Sequence, residues 1–428
     1  MSRIPRLVTT RKRKSRRLGE VEVVEREAYQ DLELEAKVEL IRSLVPLGLM
    51  HVSEMLEDEV AALAGERYAR KSGAEAHRYG TNPGSVRLAG QRVPIAVPRV
   101  RGTWGEVPLR SYQLFQERAA VNDTLLRRVL FGISCRNYEA AAEAIPGAIG
   151  LSSSSVSRAF VEASAAELRQ FQERDLRGAT FVALFLDGKS FADQTMVIAL
   201  GVQASGEKQF LGFVETTTEN ESVLTTFLRS LMDRGLDVSE GILVVLDGGK
   251  GLRAAVRKVF ARRAIVQRCM WHKRENVVSH LPRNEQGTWR RRLQLAYNRP
   301  TEAEARKALE RIHRELLERN QSAAASLAEG LEETLTLHRL GLAALLGRSF
   351  RTTNVLESVN ALIEERCAKV DAWKNSHQRQ RWLATALLDI EPRLRKVLGC
   401  LHLPKLQEAI KKELNIERSE VQQKRKAA

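Results

Sequence analysis

The chain has 428 residues, 43% of them hydrophobic, so it can bury a sizeable core and divide into two to four domains. No apolar run is long enough to span a bilayer, no apolar stretch follows the basic start as in a secretory signal, and the four cysteines form no Cys-x-x-Cys pair, which points to a reducing, cytoplasmic setting. Lys and Arg number 69 against 53 Asp and Glu, a formal charge of +16 that favours a polyanionic partner, nucleic acid first, through counterion release.

Residues 1–18 carry eight Arg and Lys and almost nothing apolar, so a disordered basic arm is expected. Residues 19–75 show apolar positions at three- and four-residue steps, a helical pattern that Pro46 breaks in two. Residues 76–118 change character. The turn signals Asn-Pro-Gly at 82–84 and Ala-Gly at 89–90 flank short alternating runs near 86–88 and 93–100, a small β element carrying Arg78, Arg87, Arg92, Arg99 and Arg101. Residues 119–175 read as helices separated by a Pro-Gly turn, the last one opened by the serine run 152–155. A helix, a turn and a capped second helix resemble a helix-turn-helix, in which Ser154, Ser155, Ser157 and Arg158 would meet the major groove; a plain helical hairpin fits the same pattern.

From 176 to 272 the order becomes definite. Strands are expected near 180–186, 196–202 and 209–215, then a helix at 220–234, a strand at 242–246, a helix at 252–262 and a strand at 264–269. This β-β-β-α-β-α-β succession, closed by a further helix, is the order of a ribonuclease H-like fold in a mixed α/β chain. Residues 273–350 have helix-former composition throughout, as in an all-helical insertion. A helix at 352–372 within a returning core segment (351–402) and a basic helical tail (403–428) complete the chain.

Two expected strands end in Asp-Gly, in "FLDGKS" at Asp187 and "VLDGGKG" at Asp247. An Asp-Gly step can simply be a hairpin turn. In this topology, however, the two strands lie side by side at the centre, and their carboxylates face each other. Such a pair repels unless cations sit between, and hard oxygen donors suit Mg²⁺ or Mn²⁺. Two ions about 3.5–4 Å apart serve phosphoryl transfer. Glu357 in "TTNVLESVN" is the candidate third carboxylate, with Asn354 on the same helix face; a capping-box role for Glu357 and the rival acids Glu364 and Glu365 stay open. Lys189, Lys250 and Lys273 flank the acids and are candidate phosphate contacts, or solvated lysines.

The set "LDGK", "LDGGKG", "QRCMWHKRENV" and "TTNVLESVN", with "RYGTNPGSVRLAGQRVPIAVPRVRG" and "ISCRNYEAAAEAI" upstream, resembles the Mutator-type transposases of bacterial insertion sequences, a DDE family, over nearly the whole chain. The resemblance implies a catalytic triad of Asp187, Asp247 and Glu357 holding two divalent ions, with no organic cofactor. It implies binding to double-stranded DNA at terminal inverted repeats, cleavage there, and transfer of the freed 3′-OH to target DNA. A homodimer or larger synaptic assembly on the bacterial nucleoid would bring two ends together. Cys269 and His272 match the family's Cys-x-x-His signature. Two ligands do not make a structural zinc site, so zinc is not expected; His272 reads as a DNA contact or proton carrier, or as a structural histidine. Trp289, in the insertion, is a candidate for stacking on an unpaired base, although core packing is the more usual role of such a tryptophan; Trp271 and Trp373 read the same way. The alternatives are a nuclease of the same fold without strand transfer and a domesticated, DNA-binding regulator.

Overall fold

The computed structural model describes residues 48–67, 76–88, 91–116, 153–191, 194–217, 220–368 and 370–415, together with 8–9, 22–23 and 129. It divides into two compact units, Met1–Ala163 and Ser164–Ala428. The basic arm lies outside the described residues except for Val8–Thr9, which pairs antiparallel with Glu22–Val23. The first helix of the expected helix-turn-helix and its turn also lie outside them, as do residues 416–428 of the tail.

In the first unit, helix α1 (Gly48–Ala64) buries Val52, Met55, Leu56 and Val60, the stripe that its three- and four-residue spacing sets out. The stripe packs on an antiparallel sheet of β1 (Ala76–Leu88), β2 (Gln91–Gly102) and β3 (Gly105–Val107), through Val86, Leu88, Val93 and Val100. Helix α2 (Arg110–Gln116) closes the core with Phe115. Its first two amides, of Arg110 and Ser111, donate to the Glu59 carboxylate at 2.7 and 3.0 Å, where a negative charge meets a helix N-terminus favourably. The Asn-Pro-Gly signal misled: Asn82, Pro83 and Gly84 sit inside β1, paired with Val97, Ala96 and Ile95. Pro83 is tolerated because β1 is an edge strand. Gly84 is required there because a Cβ would collide with Val97 and the Tyr112 hydroxyl.

Helix α3 (Ser153–Glu173) precedes the larger sheet, whose strands are β4 (Phe181–Phe191), β5 (Gln194–Gln203), β6 (Lys208–Thr216), β7 (Ile242–Leu246) and β8 (Ala264–Arg268). Their spatial order is β8-β7-β4-β5-β6, with β4, β7 and β8 parallel and β4-β5-β6 an antiparallel meander. The chain is thus mixed α/β, with the expected succession of elements. Central strands β4 and β7 read as unbroken apolar runs because both faces are covered. Helices α4 (Glu221–Asp233) and α5 (Lys250–Phe260) cover one face, burying Leu224, Phe227, Leu228, Leu231, Leu252 and Val256 against Leu184, Leu186, Val244 and Leu246. One expectation fails here. Strand β4 does not end at Asp187; it continues for four residues, with Gly188, Lys189, Ser190 and Phe191 paired to β5. That Asp-Gly step is strand, not turn.

The segment after β8 folds into helices α6 (Met270–Ser279), α7 (Arg283–Tyr297), α8 (Glu302–Arg319) and α9 (Gln321–Ala328) and two four-residue helical turns. They enclose their own core of Val277, Val278, Trp289, Leu293, Tyr297, Leu309 and Leu316. Thr301 and Asn320 cap α8 and α9 through their side-chain oxygens. Gln267 on edge strand β8 donates to the Thr334 carbonyl at 3.0 Å and accepts from the Leu337 amide at 3.0 Å, so the insertion covers an edge that would otherwise stay open. Helix α10 (Ala343–Phe350) returns the chain and stacks Phe350 on Phe185 with ring centroids 5.5 Å apart. Helices α11 (Asn354–Cys367), α12 (Ser376–Ile390) and α13 (Leu403–Glu413) follow. The tail is therefore not all solvated: Leu403, Leu406 and Ile410 are buried. Among the described residues no helix is long and apolar enough to cross a membrane.

A candidate acidic active site

Strands β4 and β7 run parallel with Leu186 opposite Leu246. The next residues are Asp187 and Asp247, so register sets the two aspartates at neighbouring positions just past the last paired residues of adjacent strands, whose backbones lie about 4.8 Å apart. Asp187 is within its strand and only 6% exposed. Asp247 is the first residue past β7, and its Oδ1 accepts the Gly249 amide at 2.9 Å, a local turn that Asx residues favour. Gly248 takes a φ of +108°, and the Arg268 guanidinium occupies the space a Cβ would need.

The third acid arrives from 110 residues later. Glu357 lies in the first turn of α11, and its Oε1 is buried without a hydrogen-bond partner. One turn on, Asn360 Oδ1 is in the same condition. The three acids feel one another. Burial, first, and then the charges of Asp247 and Glu357 push Asp187 up to about 7, against the opposing pull of His272. His272 Nε2 stands 4.0 Å from Glu357 Oε1. Burial works against its cation, but the hydrogen bond with Cys269 and the charges of Cys269, Asp187 and Asp247 outweigh it and hold the imidazole at about 9.

Cys269 and His272 act here through Thr353, the residue before α11. The Thr353 amide and hydroxyl both donate towards Cys269 Sγ, at 3.5 and 3.7 Å, and the hydroxyl lies 3.4 Å from His272 Nδ1. The Cys269 amide donates to the Leu246 carbonyl at 2.7 Å, and the Met270 amide to the Arg351 carbonyl at 2.9 Å. This web ties the end of β7, the start of α6 and the start of α11 into one corner. Nothing in the sequence singled out Thr353, since its role comes from a contact across 84 residues.

The other candidates separate clearly. Lys189 pairs with Glu364 at 2.5 Å and Glu365 with Arg366 at 3.0 Å, so both rival acids already have cations. Lys250 is exposed at the first position of α5, and Asn354 is exposed at the first position of α11. Lys273 is corrected: it is 0% exposed, bonded to the Ser326 carbonyl and to Glu329 at 3.4 Å, so it cannot reach a phosphate. Trp289 is likewise corrected: it is 3% exposed inside the insertion core, its indole donates to Glu285 and its ring lies beneath Arg292, so no base can stack on it. Trp271, 39% exposed, instead lines a cavity of about 460 Å³ with Gln294, Arg348, Thr352 and Asn354, beside the start of the Glu357 helix. In the first unit, Ser154, Ser157 and Arg158 are exposed and Ser155 half-buried on the opening turns of α3.

Among the described residues, no three His, Cys, Asp or Glu side chains stand ready as a metal cage. The donor chemistry nonetheless fits a hard divalent ion. The three side chains offer carboxylate oxygens, Glu357 Oε1 is buried and unpartnered, and none of the three is paired to a lysine or arginine among the described residues. Cys269, by contrast, is turned to Thr353.

Residues 18–395 match the family described as Transposase, Mutator family. The chain is 24% identical over 343 residues to the transposase for insertion sequence element IS256 in transposon Tn4001 of Staphylococcus aureus, covering 77% of this chain and 84% of that protein. It is 28% identical to the IS406 transposase of Burkholderia multivorans, over 79% and 88% of the two chains, and 29% identical to the ISRM5 transposase of Rhizobium meliloti, over 78% and 84%. The family match spans both aspartates, Glu357 and the whole helical segment between them, and the chain belongs to the Mutator family of transposases.

Proposed function

We propose that the larger unit is a ribonuclease H-like catalytic core in which Asp187, Asp247 and Glu357 hold two Mg²⁺ or Mn²⁺ ions. On this reading the chain binds the terminal inverted repeats of its element, cleaves a strand there and joins the freed 3′-OH to target DNA. The observation that carries it is the cluster itself: three acids from two adjacent strands and a distant helix, lacking any lysine or arginine partner among the described residues. Structural carboxylates are normally given one. When bound, the divalent ions supply the positive charge that a phosphoryl transfer needs at its scissile phosphate.

The protein's own groups do the rest. The β4–β7 register fixes the spacing of Asp187 and Asp247. Thr353, braced by Cys269 and His272, sets the first turn of α11 and hence the direction of Glu357. His272 keeps a proton near the acids and balances part of their charge. In the first step water adds to phosphorus, the P–O3′ bond breaks, and the 3′ oxygen leaves with a proton. In the second, that hydroxyl attacks a target phosphodiester and displaces its 3′ oxygen, so bonds made and broken are equal in number and no covalent enzyme intermediate is needed. Joining two ends requires two active sites, so a dimer or larger assembly belongs to the proposal.

The test pairs labelled element ends with a supercoiled target in Mg²⁺ or Mn²⁺. Joined product that disappears in Asp187→Asn, Asp247→Asn and Glu357→Gln, by roughly 10³-fold or more with duplex binding retained, supports the proposal. Cleavage without joining would favour the nuclease, and binding with no cleavage under any divalent ion would favour the regulator.

A further inference from the structure

In the first unit, β2 and β3 are joined by a two-residue turn, Thr103-Trp104, between paired Gly102 and Gly105. Trp104 is 100% exposed. The glycines leave the tip thin: Gly105 has a φ of +131°, and a Cβ there would meet open space. One face of the ribbon is buried on α1. The other carries His77, Tyr79, Arg99 and Arg101 near the tip, with His77 directly opposite Arg101. Tyr79 holds the Arg99 and Arg101 guanidiniums at 5.0 and 4.9 Å from its ring centre. Glu106 grips Arg99 through both oxygens, at 2.6 and 2.8 Å. Between residues 76 and 116 there are six arginines and one carboxylate, Glu106. Of the six, Arg78 is engaged with Glu57 and Arg99 with Glu106.

We infer that this hairpin tip is a DNA wedge: it enters a groove of duplex DNA and inserts Trp104 between base pairs, with Arg101 on a flanking phosphate. The turn caps a three-stranded sheet, with β2 between β1 and β3, so only the Thr103-Trp104 tip enters the groove, and proteins that insert an apolar side chain at a base step kink the duplex there. Arginines braced on an aromatic ring lose little freedom when they meet phosphate. Every base has a π face, so the wedge needs no particular sequence and acts apart from inverted-repeat recognition. A flat solubilising sheet would need neither an aromatic apex nor a glycine on each side of it. The inference rests on the proposal that the chain binds duplex DNA, but not on its catalysis.

The experiment uses the full chain and a short random-sequence duplex carrying donor and acceptor fluorophores at its two ends, without divalent ions. Wild-type protein is expected to shorten the end-to-end distance. Trp104→Ala should abolish that change and weaken binding roughly tenfold, Trp104→Phe should keep most of both, and Arg101→Ala should weaken binding and flatten its salt dependence. Trp104 touches nothing, so thermal melting of the variants should match wild type. Equal bending by wild type and Trp104→Ala overturns the wedge while leaving duplex binding intact. Absence of duplex binding by wild type overturns both readings. Trp104-dependent binding to phosphatidylglycerol vesicles with Trp104-independent duplex binding would assign the tip to a lipid surface instead.

Discussion

The acidic centre and the helical insertion treat carboxylates in opposite ways. In the insertion most acids, half-buried or exposed, have a cation. Glu329 meets Arg268 and Lys273, Glu333 meets Arg253 and Arg257, Glu275 meets Arg274 and Arg290, and Arg306 joins Glu302 to Glu332. At the sheet, Asp187, Asp247 and Glu357 are gathered from three elements and, among the described residues, have one histidine beside them and no lysine or arginine partner. Burying charge is costly unless it is balanced, so an acid cluster kept without a lysine or arginine is held for something the chain itself does not supply. Paired charges mark architecture, and the unbalanced cluster is the feature on which the proposed chemistry rests.

The contrast can be broken at several points. The largest effect is expected in the insertion core: Trp289→Ala should cost about 3–5 kcal/mol of stability by cavity formation. Thermal or urea unfolding measures it, and a loss of DNA binding without a loss of stability would restore the base-stacking role. At the acidic centre, Mg²⁺ at 100 times its Kd should stabilise wild type by about 2.7 kcal/mol. The Asp187→Asn/Asp247→Asn double variant should gain almost nothing, and without metal it should melt higher than wild type because two mutually repelling charges are gone. Equal stabilisation of both proteins would place the ion elsewhere. Cys269→Ala should cost about 1–2 kcal/mol through the lost Thr353 contacts and slow cleavage more than it weakens duplex binding. An unchanged cleavage rate would separate this corner from Glu357. Smallest of all, Lys273→Met should change stability by less than about 1 kcal/mol, because Arg268 still balances Glu329, and should leave DNA affinity untouched. A strong affinity loss would return Lys273 to the phosphate-binding set.

Much of the core was legible as pattern. The apolar runs of β4 and β7 and the three- and four-residue stripe of α4 follow from periodicity, which records how many faces a segment buries. Of the two Asp-Gly steps, only one is a turn. Asp247 does open a turn, whereas Asp187 stays in a strand that β5 prolongs, because strand pairing overrides a local turn preference. Asn82-Pro83-Gly84 failed in the same way. Lysines beside acids could not be sorted by sequence, since Lys189, Lys250 and Lys273 differ only in what the fold puts around them.

The amino-acid sequence by itself determined most of the local elements, the excess of positive charge and the presence of acids next to apolar strands and in the first turn of a late helix. Those properties depend on neighbours a few residues away and on simple counting. Only the tertiary structure decided that Leu186 pairs with Leu246, that Thr353 reaches Cys269 and His272, that Glu364 is spent on Lys189 while Glu357 is not, and that Trp289 is buried while Trp104 stands fully in water. Each of these is a contact, or the lack of one, between segments distant along the chain, and the energy of burying or balancing a charge is defined only once those segments have met.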